Sequence, residues 1–187
     1  MTQANIDLAL ERNRTFAAAG GQEGAVVFPN LRLYVITCLD PRTDPAHFLG
    51  LRLGDAIVIR NTGGRVTEAV IDDIAYLTYL AGQLFGEQAF AASGFEVAII
   101  QHTQCGAGFL ADPGFRRHAA AATGIPEATL EASAVDDPHA TVKADVQRLL
   151  ASPLLHPAVR VSGHVYDIAT GRLTTTMDAR HPQPLRR

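Results

Sequence analysis

Four short apolar runs, separated by longer segments with helical periodicity, constrain the fold of this chain most strongly. They lie at about 31–37, 56–59, 95–101 and 159–166 and are rich in valine and isoleucine. Their unbroken apolar character indicates strands that are buried on both faces, and their alternation with helices predicts a parallel α/β sheet. We therefore expect a central, mostly parallel sheet of about four strands, flanked by helices, with residues 173–177 returning as an antiparallel edge.

The helices are predicted from apolar spacing and from capping residues. Two Asp-Pro pairs, at 44–45 and 137–138, predict helix starts with aspartate as the N-cap and proline at the first helical position. Apolar residues recur at helical spacing at about 67–84. The other predictions are an amino-terminal helical arm at about 4–18, a frayed connection at about 82–92, a helix at about 109–122 broken by Pro113-Gly114, and a loose tail at about 179–187.

The length and composition of the chain predict one globular domain spanning residues 1–187, since 47% hydrophobic and 19% charged residues exclude a disordered chain. A net charge of −3 argues against nucleic acid as a partner. No apolar run approaches the roughly 20 residues that span a bilayer, so no membrane partner is expected. The amino terminus lacks the pattern of a secretory signal, and we expect a cytoplasmic protein in which the cysteines stay reduced.

Two cysteines and one histidine stand just past strand-like runs. Cys38 follows the first run, and His102 and Cys105 follow the third. Because parallel strands deliver functional groups at their carboxyl ends, the three side chains are expected to converge. Three such ligands suit zinc and leave a fourth position open for chemistry. From the residues alone, a metal-free alternative remains, with two buried thiols and a histidine whose ring nitrogens are hydrogen-bonded within the protein.

Asp40 and Arg42 lie next to Cys38. If the loop is extended there, their side chains share one side, and the guanidinium can grip the carboxylate in a bidentate pair. A plain surface ion pair, worth at most about 1 kcal/mol, is the alternative. A metal-free hydrolase would use Cys38 as nucleophile, His102 as base and Asp40 as orienter, but it leaves Cys105 without a role.

Gly63 and Gly64 follow the second run and precede a helix. Glycines there allow backbone N–H groups to approach a small polar substrate. We therefore take Gly63 and Gly64 as candidate substrate-binding residues, with a tight turn as the alternative.

Four loops of the chain resemble those of the β-class carbonic anhydrases, in particular the compact microbial branch. Residues 38–42 match Cys-x-Asp-x-Arg, residues 60–64 match Arg-Asn-x-Gly-Gly, and residues 102–105 match His-x-x-Cys. Residues 163–171 match Gly-x-Val-Tyr-Asp-x-x-Thr-Gly. The motifs occur in the family's order and at family-like spacing over about 25–177, which makes the set far more specific than any one motif.

The resemblance implies one Zn²⁺ per chain, bound by Cys38, His102 and Cys105. Asp40 and Arg42 would form the family's dyad. From the chemistry of a carboxylate beside a dication, Asp40 is also a conditional fourth zinc ligand in a closed site. The implied reaction is reversible hydration of carbon dioxide to bicarbonate and a proton, by attack of zinc-bound hydroxide that the dyad orients. The implied assembly is a homodimer or a multiple of dimers, with the amino-terminal helix packed across a partner.

Two other functions stay open beside hydration. One is hydrolysis of carbonyl sulfide or carbon disulfide on the same zinc site, and the other is a weakly catalytic or non-catalytic zinc-binding or regulatory protein. Three positions depart from the family pattern: Pro41 replaces serine or alanine, Gln104 replaces the common aspartate, and Thr62 replaces the common alanine. None removes a ligand or the dyad, but each bears on rate and substrate.

Overall fold

A five-stranded sheet forms the centre of the computed structural model, which describes residues 4–183. The strands are β1 Leu33–Cys38, β2 Ala56–Asn61, β3 Glu96–His102, β4 Arg160–Asp167 and β5 Arg172–Arg180. Their order across the sheet is β2-β1-β3-β4-β5. The first four strands pair in parallel, and β5 pairs antiparallel with β4. The predicted parallel sheet with an antiparallel edge is therefore confirmed.

Seven α-helices lie within the described residues. They are α1 Asn5–Ala18, α2 Pro45–Phe48, α3 Glu68–Phe85, α4 Glu87–Ala91, α5 Pro113–Thr123, α6 Glu127–Ala132 and α7 Pro138–Ala151. Both predicted Asp-Pro starts are present: the Asp44 carboxylate accepts a hydrogen bond from the backbone N–H of Ala46, and Asp137 accepts one from that of His139. None of the described helices is long and apolar enough to cross a membrane.

Three helical segments differ from the sequence predictions. Pro113 does not break a helix but begins α5, because proline fits the first helical position and Asp112 caps the N–H of Phe115. The residues before it form a 3₁₀ helix, Gly106–Ala111. The connection predicted to be frayed contains α4, and α6 has no counterpart among the predictions.

The strand ends also differ by a few residues. β1 begins at Leu33 because Arg32 has a φ of 52°, which interrupts extended backbone. β5 continues to Arg180, so the predicted tail at 179–187 overlaps the strand by two residues. Residues 184–187 of that tail lie outside the described part.

The main core lies between one face of the sheet and helices α3 and α7. It contains Ile36 and Ile99 from the sheet, Ile74 from α3 and Val146 from α7, all almost fully buried. A smaller apolar cluster covers the other face around Val35, Ala98 and Ile100. Since β1 and β3 are neighbours in this buried sheet, their carboxyl ends lie side by side.

Candidate metal centre

Cys38, His102 and Cys105 meet at the carboxyl ends of β1 and β3. Their candidate ligand atoms all lie within 4.8 Å of one another, and the two Sγ atoms are 3.8 Å apart. A tetrahedral zinc with Zn–S bonds of about 2.3 Å requires sulfur atoms about 3.8 Å apart. The donor set and its spacing therefore fit a zinc ion.

The imidazole of His102 is prepared to bind a metal through Nε2. Its Nδ1 lies 2.9 Å from the carbonyl oxygen of Thr103, which requires that Nδ1 carries the proton and donates it. Nε2 is buried and has no hydrogen-bond partner among the described residues. A buried lone pair without a partner is costly in a metal-free protein, whereas a histidine ligand held through its other nitrogen is typical of metal sites.

The two thiols influence each other's ionisation. A hydrogen bond from Cys105 lowers the pKa of Cys38, and the backbone N–H groups of Asp40 and Gly63 lower it further, against the effect of burial. The pKa of Cys105 is raised, first by its hydrogen bond with Cys38 and then by burial. One thiolate is thus favoured without a cation, while a dication between the sulfur atoms stabilises both.

Asp40 and Arg42 form the predicted bidentate pair, although through a turn rather than an extended loop. Residues Pro41–Thr43 form one turn of 3₁₀ helix, with Asp40 as N-cap and Pro41 in the first turn. Arg42 Nε donates to Asp40 Oδ1 at 2.9 Å, and Nη2 donates to Oδ2 at 2.6 Å. These hydrogen bonds lower the pKa of Asp40 to about 2, so the carboxylate is ionised at neutral pH.

Two residues without a predicted role hold the loop between Cys38 and Asp40. Arg60 Nε donates to the Cys38 carbonyl at 3.0 Å, and its Nη2 donates to the Asp40 carbonyl at 2.7 Å. The Thr43 hydroxyl lies 3.1 Å and 2.9 Å from the same two carbonyl oxygens. In the sequence, Arg60 stood out only as part of the motif at residues 60–64. Nothing apart from the position of Thr43 beside the dyad indicated that it would hold this loop.

Gly63 and Gly64 lie in the turn Thr62–Gly64, close to the end of β1. Both have positive φ and are buried. A Cβ on Gly64 would lie 2.9 Å from the backbone N of Cys38, and one on Gly63 would lie 2.8 Å from the carbonyl oxygen of Ser133. Glycine is therefore required for packing here, and the backbone N–H of Gly63 contributes to the lowered pKa of Cys38. Their role in substrate binding stays a prediction.

The metal-free hydrolase is not supported by this arrangement. The Asp40 carboxylate is engaged by Arg42, and Nδ1 of His102 faces the Thr103 carbonyl instead. Asp40 therefore does not orient the imidazole as the nucleophile–base alternative requires.

Comparisons with known proteins place the chain in a family. The family model described as carbonic anhydrase matches residues 33–173. β-Carbonic anhydrase 1 of Mycobacterium tuberculosis is 30% identical over 156 residues, covering 83% of this chain and 88% of that protein. A carbon disulfide hydrolase of Acidithiobacillus thiooxidans is 31% identical over 163 residues, covering 77% of this chain and 76% of that protein. The crystal structure of carbonic anhydrase from Streptococcus mutans superposes with a TM-score of 0.74 at 29% identity, covering 94% of this chain and 99% of that one.

Proposed function

Because this chain belongs to the β-carbonic anhydrase family, we propose that it catalyses the reversible hydration of carbon dioxide to bicarbonate and a proton. The observation that carries the proposal is the grouping of Cys38, His102 and Cys105 within ligand distance, directly beside the ionised pair of Asp40 and Arg42. In this proposal the three residues bind one Zn²⁺. When bound, zinc lowers the pKa of a coordinated water from about 15.7 toward about 7 and so supplies a nucleophile at neutral pH.

Asp40 is the residue proposed to orient the nucleophile. Its Oδ1 accepts hydrogen bonds from both the backbone N and Nε of Arg42, and its Oδ2 accepts one from Nη2. An ionised carboxylate offers about four acceptor positions, so one remains free on Oδ2. That position can accept a hydrogen bond from the attacking oxygen and direct its lone pair toward the carbon of the substrate.

Arg42 is proposed to keep Asp40 available for this role. A carboxylate beside a dication can become a ligand itself, which would fill the position that the substrate chemistry needs. Arg42 occupies three of the four acceptor positions of Asp40, and this holds the carboxylate in the pair. The Asp40 carboxylate is not part of the group of donor atoms that lie within 4.8 Å of one another, so Asp40 as a fourth ligand would require that the carboxylate moves away from the position in which Arg42 holds it.

Stopped-flow measurement of carbon dioxide hydration on protein with assayed zinc tests the proposal. We expect fast hydration that rises between about pH 6.5 and 9, a range that brackets a water pKa near 7. Asp40→Ala should lower the rate by about 10- to 100-fold while zinc stays bound. An unchanged rate in Asp40→Ala would remove Asp40 from the mechanism, and no hydration at one zinc per chain would contradict the function.

Hydrolysis of carbon disulfide or carbonyl sulfide is the second candidate function. The likeness to a carbon disulfide hydrolase at 31% identity supports it, and the same nucleophile can attack the carbon of either linear molecule. Measurement of sulfide release from both substrates, on the same zinc-assayed protein, separates the two functions. Sulfide release without carbon dioxide hydration would favour the second candidate.

A homodimer or a multiple of dimers is also part of the proposal. None of the residues of α1 is buried, and the helix exposes Ile6, Leu10 and Phe16. Several large apolar side chains exposed on one helix are typical of an interaction surface. Light scattering coupled to gel filtration should give at least twice the mass of the chain, and Leu10→Glu should lower it if α1 contributes to the interface.

The cytoplasm remains our proposed location. Two thiols 3.8 Å apart must stay reduced to bind a metal, and reducing compartments maintain that state. Fractionation of cells that produce the tagged full-length protein tests this location.

A further inference from the structure

A buried carboxylate outside the dyad lies behind the metal centre. Asp145, on α7, is 1% exposed. Its Oδ2 accepts hydrogen bonds from Arg65 Nε at 2.7 Å and from Gln101 Nε2 at 2.9 Å, and its Oδ1 accepts one from Arg65 Nη2 at 3.2 Å. Burial raises the pKa of Asp145 and Arg65 opposes that effect. A buried charge of this kind is tolerated only when it is paired.

The first partner, Arg65, directly follows the glycine turn. Asn61 closes this turn, because its Oδ1 accepts from the backbone N of Arg65 and its Nδ2 donates to the Arg65 carbonyl, both at 2.8 Å. Within the turn, Gly64 packs directly against the end of β1, since a Cβ on it would lie 2.9 Å from the backbone N of Cys38. A fixed position for Arg65 therefore fixes the turn that packs against Cys38, a candidate zinc ligand.

The second partner, Gln101, directly precedes His102 on β3. Side chains alternate along a strand, so Gln101 points to the face covered by α7, where it meets Asp145. Its hydrogen bond restrains the strand end from which the imidazole of His102 projects. The Asp145 carboxylate thus contacts Arg65, which follows the turn beside Cys38, and Gln101, which precedes His102.

We propose that Asp145 is a positioning residue for the metal centre, joining the glycine turn beside Cys38 to the strand end that carries His102. It acts through Arg65 and Gln101 and touches neither metal nor substrate. This inference rests on the proposed zinc site. Partners one layer outside the ligands orient them, and their loss typically costs about 10- to 100-fold in metal affinity.

The test compares zinc affinity in Asp145→Asn with that in a matched control. The amide keeps the shape of the side chain but turns an N–H₂ group toward donors of Arg65 or Gln101. Glu68→Gln is the control, because it removes an exposed ion pair between Glu68, the first residue of α3, and Arg148 of α7, the helix that carries Asp145. The zinc dissociation constant is measured by competition with a chromophoric chelator, and the cobalt-substituted protein gives the ligand-field spectrum.

We expect zinc to bind Asp145→Asn about 10- to 100-fold more weakly, with an altered cobalt spectrum, and Glu68→Gln to match the unaltered chain. Unfolding midpoints of the metal-free forms show whether the loss is confined to metal binding. A lower midpoint with unchanged zinc affinity and cobalt spectrum would mean that Asp145 is only a structural ion pair, and this overturns the inference.

Gln101→Met provides the test if Asp145→Asn fails to fold. It removes one of the two connections and is expected to weaken zinc binding by a smaller factor, whereas equal affinity would overturn the inference. If the unaltered chain binds no zinc, the proposed function fails and the inference falls with it. If the unaltered chain binds zinc and both variants match it, only the inference fails.

Discussion

The guanidinium of Arg42 donates a hydrogen bond of 3.0 Å to the backbone carbonyl of Gln104. The same Nη2 donates to Asp40 at 2.6 Å, so one nitrogen joins the loop after Cys38 to the loop before Cys105. Gln104 has a φ of 56°, a left-handed conformation that is uncommon outside glycine. The carbonyl that restrains Arg42 is therefore presented by strained backbone.

Gln104→Val should disturb this contact, and Gln104→Gly should preserve it. A β-branched residue is strained in the left-handed region by about 1–3 kcal/mol, whereas glycine adopts it freely and keeps the carbonyl. We expect hydration to fall several-fold in the valine variant and to stay near the original rate in the glycine variant, with zinc content equal in both. Equal rates in the two variants would show that the backbone at Gln104 does not govern the dyad.

Cys105→Ser should weaken zinc binding strongly. A serine hydroxyl is a much poorer zinc ligand than a thiolate, and only two of the three donors would remain. Metal analysis after dialysis against a chelator should find about one zinc per chain in the original protein and far less in the variant. Retention of stoichiometric zinc would exclude Cys105 as a ligand.

Gly163→Ala should destabilise the fold by overpacking α7 against β4. A Cβ at Gly163 would lie 2.9 Å from Cγ2 of Val146 and 3.3 Å from Cγ2 of Val142. Overpacking of this kind typically costs about 1–3 kcal/mol in the free energy of unfolding. In a double-mutant cycle with Val146→Ala, urea unfolding should show that the two losses are less than additive, because the smaller residue leaves room for the new methyl group.

Tyr34 should make the fold sensitive to alkaline pH. Burial raises its pKa to about 12, above the ordinary value near 10. Because the folded-state pKa is the higher one, the stability contribution is complete below about pH 10 and is lost as the pH rises toward 12. The free energy of unfolding should therefore fall less steeply over this range in Tyr34→Phe. Tyr76→Phe, at a tyrosine that is 62% exposed, should follow the original curve.

Local signals predicted the parts of the fold that local physics determines. Asp44 and Asp137 were predicted as caps because the cap and the following proline act within one turn. Cys38, His102 and Cys105 were placed together because the carboxyl ends of parallel strands lie at one edge of the sheet, although the order that makes β1 and β3 neighbours was not predicted. The start of β1 was misplaced because Arg32 has a positive φ, and neither an arginine nor the residues beside it signal such a conformation in the sequence.

The contacts that sequence reasoning missed depend on partners far along the chain. Asp145 meets Arg65 and Gln101 across separations of 80 and 44 residues. Nothing in the sequence of α7 distinguishes Asp145 from an acidic residue on the exposed face of a helix. Arg60 reaches the Cys38 and Asp40 carbonyls only because β2 lies beside β1. Side-chain partners of this kind follow from the packed sheet and have no periodicity to reveal them.

The neighbouring positions of β1 and β3 have a consequence for how the protein acquires its metal. Cys38 is synthesised long before His102 and Cys105, and it joins them only when the two strands pair at the centre of the sheet. A growing chain at first contains only the Cys38 thiol, and later also His102 and Cys105 on a short loop. Neither the single thiol nor the two-residue loop alone retains zinc well. Full affinity arises only once the middle of the sheet has closed, so occupancy of the metal centre would mark the pairing of β1 with β3.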